Sequence, residues 1–424
     1  MKKGLVFCGG GAKGSYEAGV WKYLDEHGIK FDIVTGTSIG GLNAAMYAQH
    51  DFDRDIELWE KITIDLIVED SFKYDEKKSI KVTLKENDNL FGFLKNYISN
   101  RGGNVSPFKE LVEEYINPEK IINSDVLCGI VTAKFPTMQG VEVVLKEKTP
   151  AKIKKFLIAT ASAFPVFQVC KIDKESYVDG GYYDNLPINF AIELGAEDIV
   201  AVDLNPNITH KEFLNKSYIK YIHPRWNLGG FLKFERDAIE KNLMLGYMDA
   251  QKAYGDLLGF KYTFNKIDVI KSREFVLEVS KVVGYMQKNK IKSNVKPEIE
   301  GDIFHILEKS VYRPLSDDEY YIRAVEVAAE FFNVDYYKVY DMDTMFQIIE
   351  SEIATLDYNP DIYDGYLRLK SINKQKDFVS RMDDKFLVKD LFIREVKLPI
   401  EELAIICASK PIIFIIYMIM KMRK

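Results

Sequence analysis

A serine in a glycine-flanked turn is the first residue of this chain that could do covalent chemistry. Residues 36–40 read Gly36-Thr37-Ser38-Ile39-Gly40, which fits the pattern G-x-S-x-G of a sharp strand-to-helix turn that exposes a serine hydroxyl. Glycine suits both flanks because such a turn brings the strand and helix backbones too close together for side chains. The pattern alone leaves two interpretations of Ser38 open: a catalytic nucleophile, or a serine that caps a helix.

A glycine-rich loop ahead of this turn could bind an anion. The loop, called the glycine loop below, consists of Gly9, Gly10, Gly11, Ala12, Lys13 and Gly14. It fits G-x-G-x-x-G, a pattern that brings backbone N–H groups close to a pyrophosphate or to the oxyanion of an acyl transfer. A dinucleotide site requires an acidic residue at the end of the second strand. Because the one acid of that strand, Asp32, lies at its start, the position favours acyl transfer. A nucleotide-binding protein that uses the glycine loop is the alternative.

A serine nucleophile needs a base, and three residues are candidates. Asp179 is followed by Gly180 and Gly181, which permit a tight turn that could bring its carboxylate to the serine. His210 and His223 come later in the chain, in the order Ser, Asp, His of many hydrolases. Asp179 is also interpretable as an ordinary Asp-Gly turn residue. It could act as a base only if burial raises its pKa and a short hydrogen bond joins it to the serine.

The elements that must position these residues alternate between strand and helix patterns over the first 205 or so residues. Strands are predicted at 4–8, 32–35, 126–133, 141–145 and 199–203, and strand-like residues also precede Asp179. Helices are predicted at 15–27, 40–49, 108–115, 151–160 and 189–194. A further, amphipathic helix is predicted after this region, at 235–258. This alternation predicts an α/β fold of three layers, α/β/α, around a mostly parallel sheet. The glycine loop and the serine turn then follow adjacent strands and face one crevice at the carboxyl ends of the sheet.

The alternation of strand and helix patterns ends near residue 262 and a mainly helix-like sequence follows, so we place a domain boundary there. Residues 1–262 would be the catalytic domain, with 51–104 as a polar insertion or lid. Residues 263–424 would be a mainly helical C-terminal region without a chemical motif. Aromatic residues that could line an acyl groove are Phe91, Phe93, Tyr97 and Phe164.

The C-terminal region ends in an apolar tail at 403–420. Its uninterrupted apolar run, 412–420, would cover as a helix roughly half of the hydrocarbon core of a bilayer. Basic residues at the end, Lys421, Arg423 and Lys424, would suit anionic headgroups. Three interpretations stay open: a buried terminal helix, an anchor at the membrane surface, and a membrane span.

Composition excludes some classes of function. The net charge of −6 over 424 residues gives no reason to expect a nucleic-acid partner. The four cysteines are scattered and the five histidines unclustered, which argues against a metal site and for a reducing compartment. The N-terminus leads directly into a strand, so no secretory signal is expected. We therefore predict a cytoplasmic protein, and peripheral membrane contact through the tail stays open.

The three motifs in this order resemble those of the patatin-like phospholipase family. Two further segments, ATASAFPVFQV at 159–169 and NVSPFKELVEEYINPEKI at 104–121, are similar to the family, and the resemblance covers roughly residues 1–260. The resemblance implies the patatin-like fold for this region. It also implies hydrolysis of lipid acyl esters, like a phospholipase A or lysophospholipase, without a metal or other cofactor. A non-catalytic, membrane-associated scaffold with this fold is the second alternative.

The resemblance assigns roles to individual residues. Ser38 would be the nucleophile and Asp179 the base, in a dyad that needs neither His210 nor His223. The backbone amides of the oxyanion hole would be those of Gly10, Gly11 and Ala12, with Lys13 nearby. The motif glycines are Gly9, Gly14, Gly36, Gly40, Gly180 and Gly181. Where many family members carry an acid before the glycine run, this chain has Cys8, which we interpret as the buried end of the first strand.

Overall fold

The structure is a computed structural model, and it describes residues 1–67, 106–214, 216–293, 303–309, 311, 313–357, 372–393 and 398–423. The chain divides into two compact units, Met1–Tyr254 and Gly255–Lys424. All three motifs belong to the first unit. The assignment of function to domains at 1–262 and 263–424 stays a prediction.

The first unit is built around a mixed sheet that is parallel in its centre. Its strands are β1 (Lys3–Phe7), β2 (Ile33–Thr37), β3 (Leu127–Lys134), β4 (Gln139–Val144), β5 (Cys170–Ile172), β6 (Glu175–Asp179), β7 (Asp198–Val202) and β8 (Ile219–Ile222). Their order is β5-β6-β3-β2-β1-β7-β8, and β4 also pairs with β3. Strands β3, β2, β1, β7 and β8 are parallel neighbours, whereas β4, β5 and β6 join through antiparallel pairs. The sheet confirms the predicted fold class.

Helices cover both faces of this sheet. They are α1 (Ser15–Glu26), α2 (Ile39–Ala48), α3 (Phe52–Lys61), α4 (Ser106–Tyr115), α5 (Pro118–Ile122), α6 (Pro150–Thr160), α7 (Ile188–Glu193) and α8 (Arg236–Tyr254). Gly129 of β3 lies against the Phe190 ring of α7, and the next residue, Ile130, lies against Gly41 of α2. Successive strand residues point to opposite faces, so α2 and α7 lie on opposite sides of the sheet. The three-layer prediction is confirmed in this part of the molecule.

Strands β2 and β6 pair with the same edge of β3, and their ends meet there. Residues 129–134 of β3 pair with β4, which occupies one edge. The opposite edge pairs with β2 over 127–131 and with β6 over 132–134. Because β2 is parallel to β3 and β6 antiparallel, the carboxyl ends of β2 and β6 approach each other head to head. Thr37, the last residue of β2, pairs with Val131, and Asp179, the last residue of β6, pairs with Thr132.

The elements that carry the motifs agree with the sequence analysis. Each of the five strands predicted by range lies within two residues of its observed bounds, and α1 begins at Ser15 as predicted. The short strands β5 and β8 were not predicted. The predicted insertion at 51–104 begins with a packed helix, α3, whose Leu58 and Trp59 are buried. The rest of that insertion, from residue 68 and including Phe91, Phe93 and Tyr97, lies outside the described residues.

The second unit is mainly helical, as predicted. Its helices are α9 (Val269–Lys288), α10 (Ile303–Glu308), α11 (Asp317–Phe331), α12 (Met342–Thr355), α13 (Ile372–Arg381), α14 (Asp384–Ile393), α15 (Ile400–Ser409) and α16 (Pro411–Arg423), and its strands are β9 (Thr263–Phe264) and β10 (Val339–Tyr340). The two strands form a parallel pair.

The apolar tail forms two buried helices, α15 and α16. Most of its apolar side chains are buried, and α16 packs against α9, α11, α14 and α15 of the same unit. Lys421 forms an ion pair with Glu278, and Arg423 with Glu350. The buried-helix interpretation agrees with this packing. Within the described residues, no helix combines the length and apolar composition that crossing a bilayer requires.

Candidate active site

Ser38 lies in a strained turn between β2 and α2. Its backbone angles are φ 56° and ψ −126°, in a region that non-glycine residues rarely occupy. The flanking glycines allow the turn to close. A Cβ on Gly36 would lie 2.2 Å from the carbonyl oxygen of Gly40, and a Cβ on Gly40 would lie 2.6 Å from that of Cys8. The turn therefore has the tight geometry that the G-x-S-x-G pattern predicts.

A buried threonine holds the backbone of this turn. The Ser38 N–H donates to Thr160 Oγ1 at 2.9 Å, and the Thr160 hydroxyl donates to the carbonyl of Val131 on β3. Thr160 is fully buried at the end of α6. Since a buried N–H without an acceptor would be costly, Thr160 stabilises the strained turn by satisfying it.

The Ser38 side chain is hydrogen-bonded to Asp179. Its hydroxyl oxygen Oγ lies 2.6 Å from Asp179 Oδ2, across 141 positions of sequence. The other carboxylate oxygen, Oδ1, accepts the N–H of Gly181 at 2.7 Å. The Asp179 N–H donates to the carbonyl of Ser162 at 2.9 Å, which fixes the end of β6. Each oxygen of the carboxylate thus has its own donor, and Oδ2 is directed at the serine.

The environment of Asp179 makes it a stronger base than an exposed aspartate. The residue is only 7% exposed, and burial raises its pKa from 3.8 to about 6, although the hydrogen bonds from Ser38 and Gly181 act in the opposite direction. A carboxylate with this pKa is ionised at neutral pH and still binds a proton more readily than usual. Both conditions that the sequence analysis set for Asp179, burial and a short hydrogen bond, are present.

The glycine loop lies beside Ser38 and Asp179, and some of its backbone amides already donate hydrogen bonds to protein carbonyls. Gly9 N–H donates to the carbonyl of Asn185 at 2.9 Å, and Ala12 N–H donates to the carbonyl of Phe231 at 2.8 Å. Within the described residues, the N–H groups of Gly10 and Gly11 donate to no protein acceptor. Two of the three predicted oxyanion donors are therefore unpaired, and the third, Ala12, is not.

A buried glutamate fixes the start of the glycine loop. Glu17 of α1 accepts the Cys8 N–H at 2.5 Å and the side-chain amide of Asn43 at 2.8 Å. Burial raises the pKa of Glu17 well above its usual value. Cys8 is buried at the end of the first strand, as predicted. These contacts join the end of β1, the first turn of α1 and the middle of α2.

An apolar cavity of about 260 Å³ opens at this site. Its walls are formed by Gly9, Gly10, Gly11, Ser38, Ile39, Ile67, Phe108, Ala161, Ala163, Phe167, Asp179, Gly181, Tyr182, Asn185, Phe231, Leu232 and Phe234. Ala12 and Lys13 lie outside these walls. So does Phe164, whose carbonyl accepts a hydrogen bond from the hydroxyl of Tyr182. The cavity joins the serine, the aspartate and the glycine loop to an apolar surface, and it could hold an acyl chain.

The two candidate histidines lie in other environments. His210 Nδ1 is 2.9 Å from Glu212, and its Nε2 is 3.9 Å from Asp184. His223 is 8% exposed, and burial, with Arg225 nearby, lowers its pKa to about 4. In the part of the chain that the structure describes, neither imidazole is hydrogen-bonded to Ser38 or Asp179. In the same residues, no three His, Cys, Asp or Glu side chains gather as metal ligands would.

Sequence reasoning missed two residues of the site, Thr160 and Asn185. Thr160 ends an ordinary helix pattern and lies in the segment 159–169 that resembles the family, but that resemblance does not indicate a contact with Ser38. Asn185 follows the Asp-Gly-Gly motif closely, in Asp184-Asn185-Leu186-Pro187, and that proximity was the available signal. Asp203, which follows β7, accepts the backbone N–H groups of Asn205 and Thr209 and so stabilises a turn.

The comparisons with known proteins match the part of the chain that holds this site. The family model described as patatin-like phospholipase matches residues 5–192, which include the glycine loop, Ser38 and Asp179. Residues 5–192 form a patatin-like phospholipase domain. The predicted family resemblance is thereby confirmed for this part of the chain.

Proteins similar to this domain include much longer chains. Lysophospholipase NTE1 of Candida albicans is 28% identical over 204 residues, which are 47% of this chain and 13% of that protein. Patatin-like phospholipase domain-containing protein 7 of Rattus norvegicus is 26% identical over 206 residues, again 47% and 13%. The chain thus covers only a small part of the curated relatives it matches. Among solved structures, VipD from Legionella pneumophila covers 97% of this chain and 91% of its own, at 13% identity and a TM-score of 0.36. The family domain and the lysophospholipase relatives support a lipid ester hydrolase.

Proposed function

We propose that the protein is a lipid acyl hydrolase that cleaves carboxylic esters through Ser38 and Asp179. The observation that supports this most directly is the 2.6 Å contact between Ser38 Oγ and Asp179 Oδ2. It lies in the wall of an apolar cavity, beside the backbone amides of Gly10 and Gly11, which have no acceptor in the described part of the chain. A nucleophile, its base, oxyanion donors and an acyl site are the parts that acyl transfer needs.

In the first step, the Asp179 carboxylate takes the Ser38 proton while Oγ attacks the carbonyl carbon of the ester. The carbonyl oxygen becomes an oxyanion, and we assign its stabilisation to the N–H groups of Gly10 and Gly11. The Ala12 N–H can join them only if its hydrogen bond to Phe231 breaks. As the carbonyl re-forms, protonated Asp179 gives its proton to the leaving alcohol oxygen, and the acyl group stays on Ser38.

In the second step, water cleaves the acyl-enzyme. Asp179, again a carboxylate, takes a proton from the water as the water oxygen attacks the acyl carbonyl carbon. The tetrahedral species collapses with loss of Ser38 Oγ, which receives that proton from Asp179. The fatty acid is released, and the enzyme returns to its initial protonation state.

The cavity favours an apolar acyl chain as the bound part of the substrate. Phe108, Phe167 and Phe234 contribute ring surface, and no lysine or arginine occurs among the described residues of its walls. A charged headgroup would therefore extend outward, away from the apolar walls. Because relatives carry the name lysophospholipase, single-chain phospholipids are the substrates to test first.

The nucleotide-binding alternative finds little support at the glycine loop. The amides of Gly9 and Ala12 already have protein acceptors. No cationic side chain of the described residues faces the cavity to bind phosphate. A non-catalytic scaffold is separated from a hydrolase by the experiment below.

The test is covalent labelling with a fluorophosphonate probe together with fatty-acid release from a lysophospholipid. The wild type should be labelled at Ser38 and should release fatty acid. Ser38→Ala should show neither labelling nor fatty-acid release, and it should keep its melting temperature. His210→Ala is the control and should retain most activity. An unlabelled, inactive wild type would contradict the proposal, as would hydrolysis by Ser38→Ala at the wild-type rate. A loss of about 10⁴-fold in His210→Ala, the size expected for a member of a triad, would replace the Ser–Asp dyad with a histidine mechanism.

A further inference from the structure

Asn185 makes two hydrogen bonds to the first residue of the glycine loop. Its backbone carbonyl accepts the Gly9 N–H at 2.9 Å, and its side-chain Nδ2 donates to the Gly9 carbonyl at 2.9 Å. The two residues are 176 positions apart in the sequence. Both backbone polar groups of Gly9 are thus bound by one residue from another part of the chain.

The orientation of the Asn185 amide follows from these partners. A carbonyl oxygen can only accept, so the amide nitrogen must face the Gly9 carbonyl. Nδ2 also lies 3.2 Å from Cys8 Sγ, a weak acceptor. Oδ1 then occupies the space between two glycines. A Cβ would lie 2.3 Å from Oδ1 if built on Gly9, and 2.8 Å if built on Gly181.

Asn185 is itself held firmly next to the two reactive residues. The carbonyl of the preceding residue, Asp184, accepts the hydroxyl of Thr37 at 2.8 Å. The Asp184 carboxylate accepts the Leu186 N–H at 3.1 Å. Thr37 precedes Ser38, and Gly181 donates to Asp179. Asn185 therefore connects the glycine loop to the same segments that orient the serine and the aspartate.

We propose that Asn185 is a positioning residue that orients the Gly10 and Gly11 amides toward the carbonyl attacked by Ser38. The inference rests on the proposed function. A run of glycines has many accessible backbone conformations, and oxyanion donors are effective only when they are already oriented. Fixing both polar groups of Gly9 restricts the peptide that carries the Gly10 N–H. Asn185 acts on the reaction through this loop, because the hydrogen bonds of its own Nδ2 are to protein atoms.

The effect of this role should appear in kcat rather than in KM. The oxyanion exists only during the reaction, so misoriented donors weaken the transition state and leave the binding of the ester nearly unchanged. Removal of a whole oxyanion donor costs about 10²–10³ in kcat. Loss of its positioning residue should cost about 10–10².

Two substitutions test the inference, with a matched control. Asn185→Asp keeps the size of the side chain but cannot donate to the Gly9 carbonyl, and Asn185→Ala removes the side chain and keeps the backbone hydrogen bond. Asn123→Asp is the control, since Asn123 is an exposed asparagine of the same unit whose amide donates to Glu119. Each protein is assayed for kcat and KM on a p-nitrophenyl acyl ester, for the rate of fluorophosphonate labelling, and for thermal unfolding.

We expect both Asn185 variants to unfold cooperatively, with kcat and labelling rate reduced about 10–10²-fold and KM changed less than about threefold. Hydrogen exchange should increase in the peptide that contains residues 9–13, and Asn123→Asp should match the wild type. Wild-type kcat in folded Asn185→Asp and Asn185→Ala would overturn the inference. So would the absence of a folded state in both variants and in Asn185→Ser, because the residue would then serve folding.

The same experiment distinguishes failure of this inference from failure of the proposed function. If the wild type is neither labelled nor active, the proposed hydrolase itself is wrong. If the wild type is active and the Asn185 variants equal it, only the positioning role is wrong. A rise in KM with unchanged kcat would assign Asn185 to substrate binding and would also overturn the role proposed here.

Discussion

At the scale of single residues, the site depends on one buried carboxylate. Asp179 is nearly inaccessible to water, and its neighbours within hydrogen-bonding distance are the Ser38 hydroxyl and the Gly181 amide. Two donors do not fully replace the water that an exposed carboxylate binds, so the pKa of Asp179 rises to about 6. The proposed base thus has a raised proton affinity, and its burial costs stability.

The first prediction concerns the pH dependence of hydrolysis. Asp179 must be ionised to accept the serine proton, so kcat/KM should rise with pH and level off above a pKa of about 6. Below that value it should fall about tenfold for each pH unit. The measurement is kcat/KM on a soluble acyl ester between pH 4.5 and 8.5, at pH values where circular dichroism finds the protein folded. A constant kcat/KM between pH 5 and 7 would count against Asp179 as the base.

The second prediction is that Asp179→Asn abolishes hydrolysis and stabilises the fold above pH 6. The pKa of Asp179 is about 6 in the folded protein against an ordinary 3.8. As the pH rises from about 4 to 6, the unfolded chain loses this proton first, so the wild type loses stability. Two pH units correspond to about 3 kcal/mol, and an uncharged asparagine avoids that loss.

Chemical unfolding at pH 8 and pH 4 measures this effect. The unfolding free energy of Asp179→Asn should exceed that of the wild type by about 1–3 kcal/mol at pH 8 and by little at pH 4. Ser38→Ala, which keeps the carboxylate, is the control and should not gain stability in this way. Equal gains at both pH values would indicate a cause other than the charge.

At the scale of elements, the site forms where two strands share one edge of β3. One edge is occupied by β4, and the other is shared by β2 and β6, whose carboxyl ends meet. The strained Ser38 turn continues from one of those ends and the Asp179 turn from the other. The turn at Ser38 closes only because Gly36 and Gly40 lack side chains.

The third prediction compares alanine at two glycines. In Gly40→Ala the new methyl would lie within 2.8 Å of backbone atoms of Phe7 and Cys8, which cannot move without displacing β1. The variant should lose more than about 3 kcal/mol of stability and all activity. Gly284→Ala is the matched control, because Gly284 lies in α9 and, among the described residues, the added methyl would meet no atom within 4 Å beyond its chain neighbours and the backbone of its own helix. It should be neutral or stabilising by up to about 1 kcal/mol, as measured by thermal and urea unfolding.

At the scale of the whole molecule, the chain consists of two compact units, and the chemistry proposed here involves residues of the first alone. The apolar tail belongs to the second unit, where α15 and α16 bury most of their apolar side chains. In this packing the tail stabilises the second unit. A tail that inserted into a membrane would have to leave those contacts.

The fourth prediction tests the role of the tail. Phe414 is 0% exposed, so Phe414→Ala should destabilise the second unit by about 3–5 kcal/mol. Ile412, two residues away, is 44% exposed, and Ile412→Ala should change stability by less than about 1 kcal/mol. Urea unfolding and liposome flotation of both variants check this. If Phe414→Ala left the stability unchanged and abolished flotation, the tail would be a membrane anchor.

The sequence by itself determined the local features of this protein. The turn at Ser38, the glycine loop, the Asp-Gly-Gly turn and the central strands were all predictable, because each depends on steric limits among a few neighbouring residues. The alternation of strands and helices was sufficient for the fold class. The Cys8 interpretation succeeded for the same reason, since a strand that leads into a glycine turn at the centre of a sheet has a buried end.

Only the tertiary structure decided how these local pieces meet. The choice of Asp179 over a histidine as partner of Ser38, the pairing of Asn185 with Gly9, and the capture of the Ala12 amide by Phe231 all join residues far apart in the chain. The packing of the tail against other helices of its unit, with three interpretations open from sequence, is likewise visible only in the folded chain. Such contacts depend on how strands share edges and on which side chains fill the remaining space, and neither is encoded in the spacing of neighbouring residues.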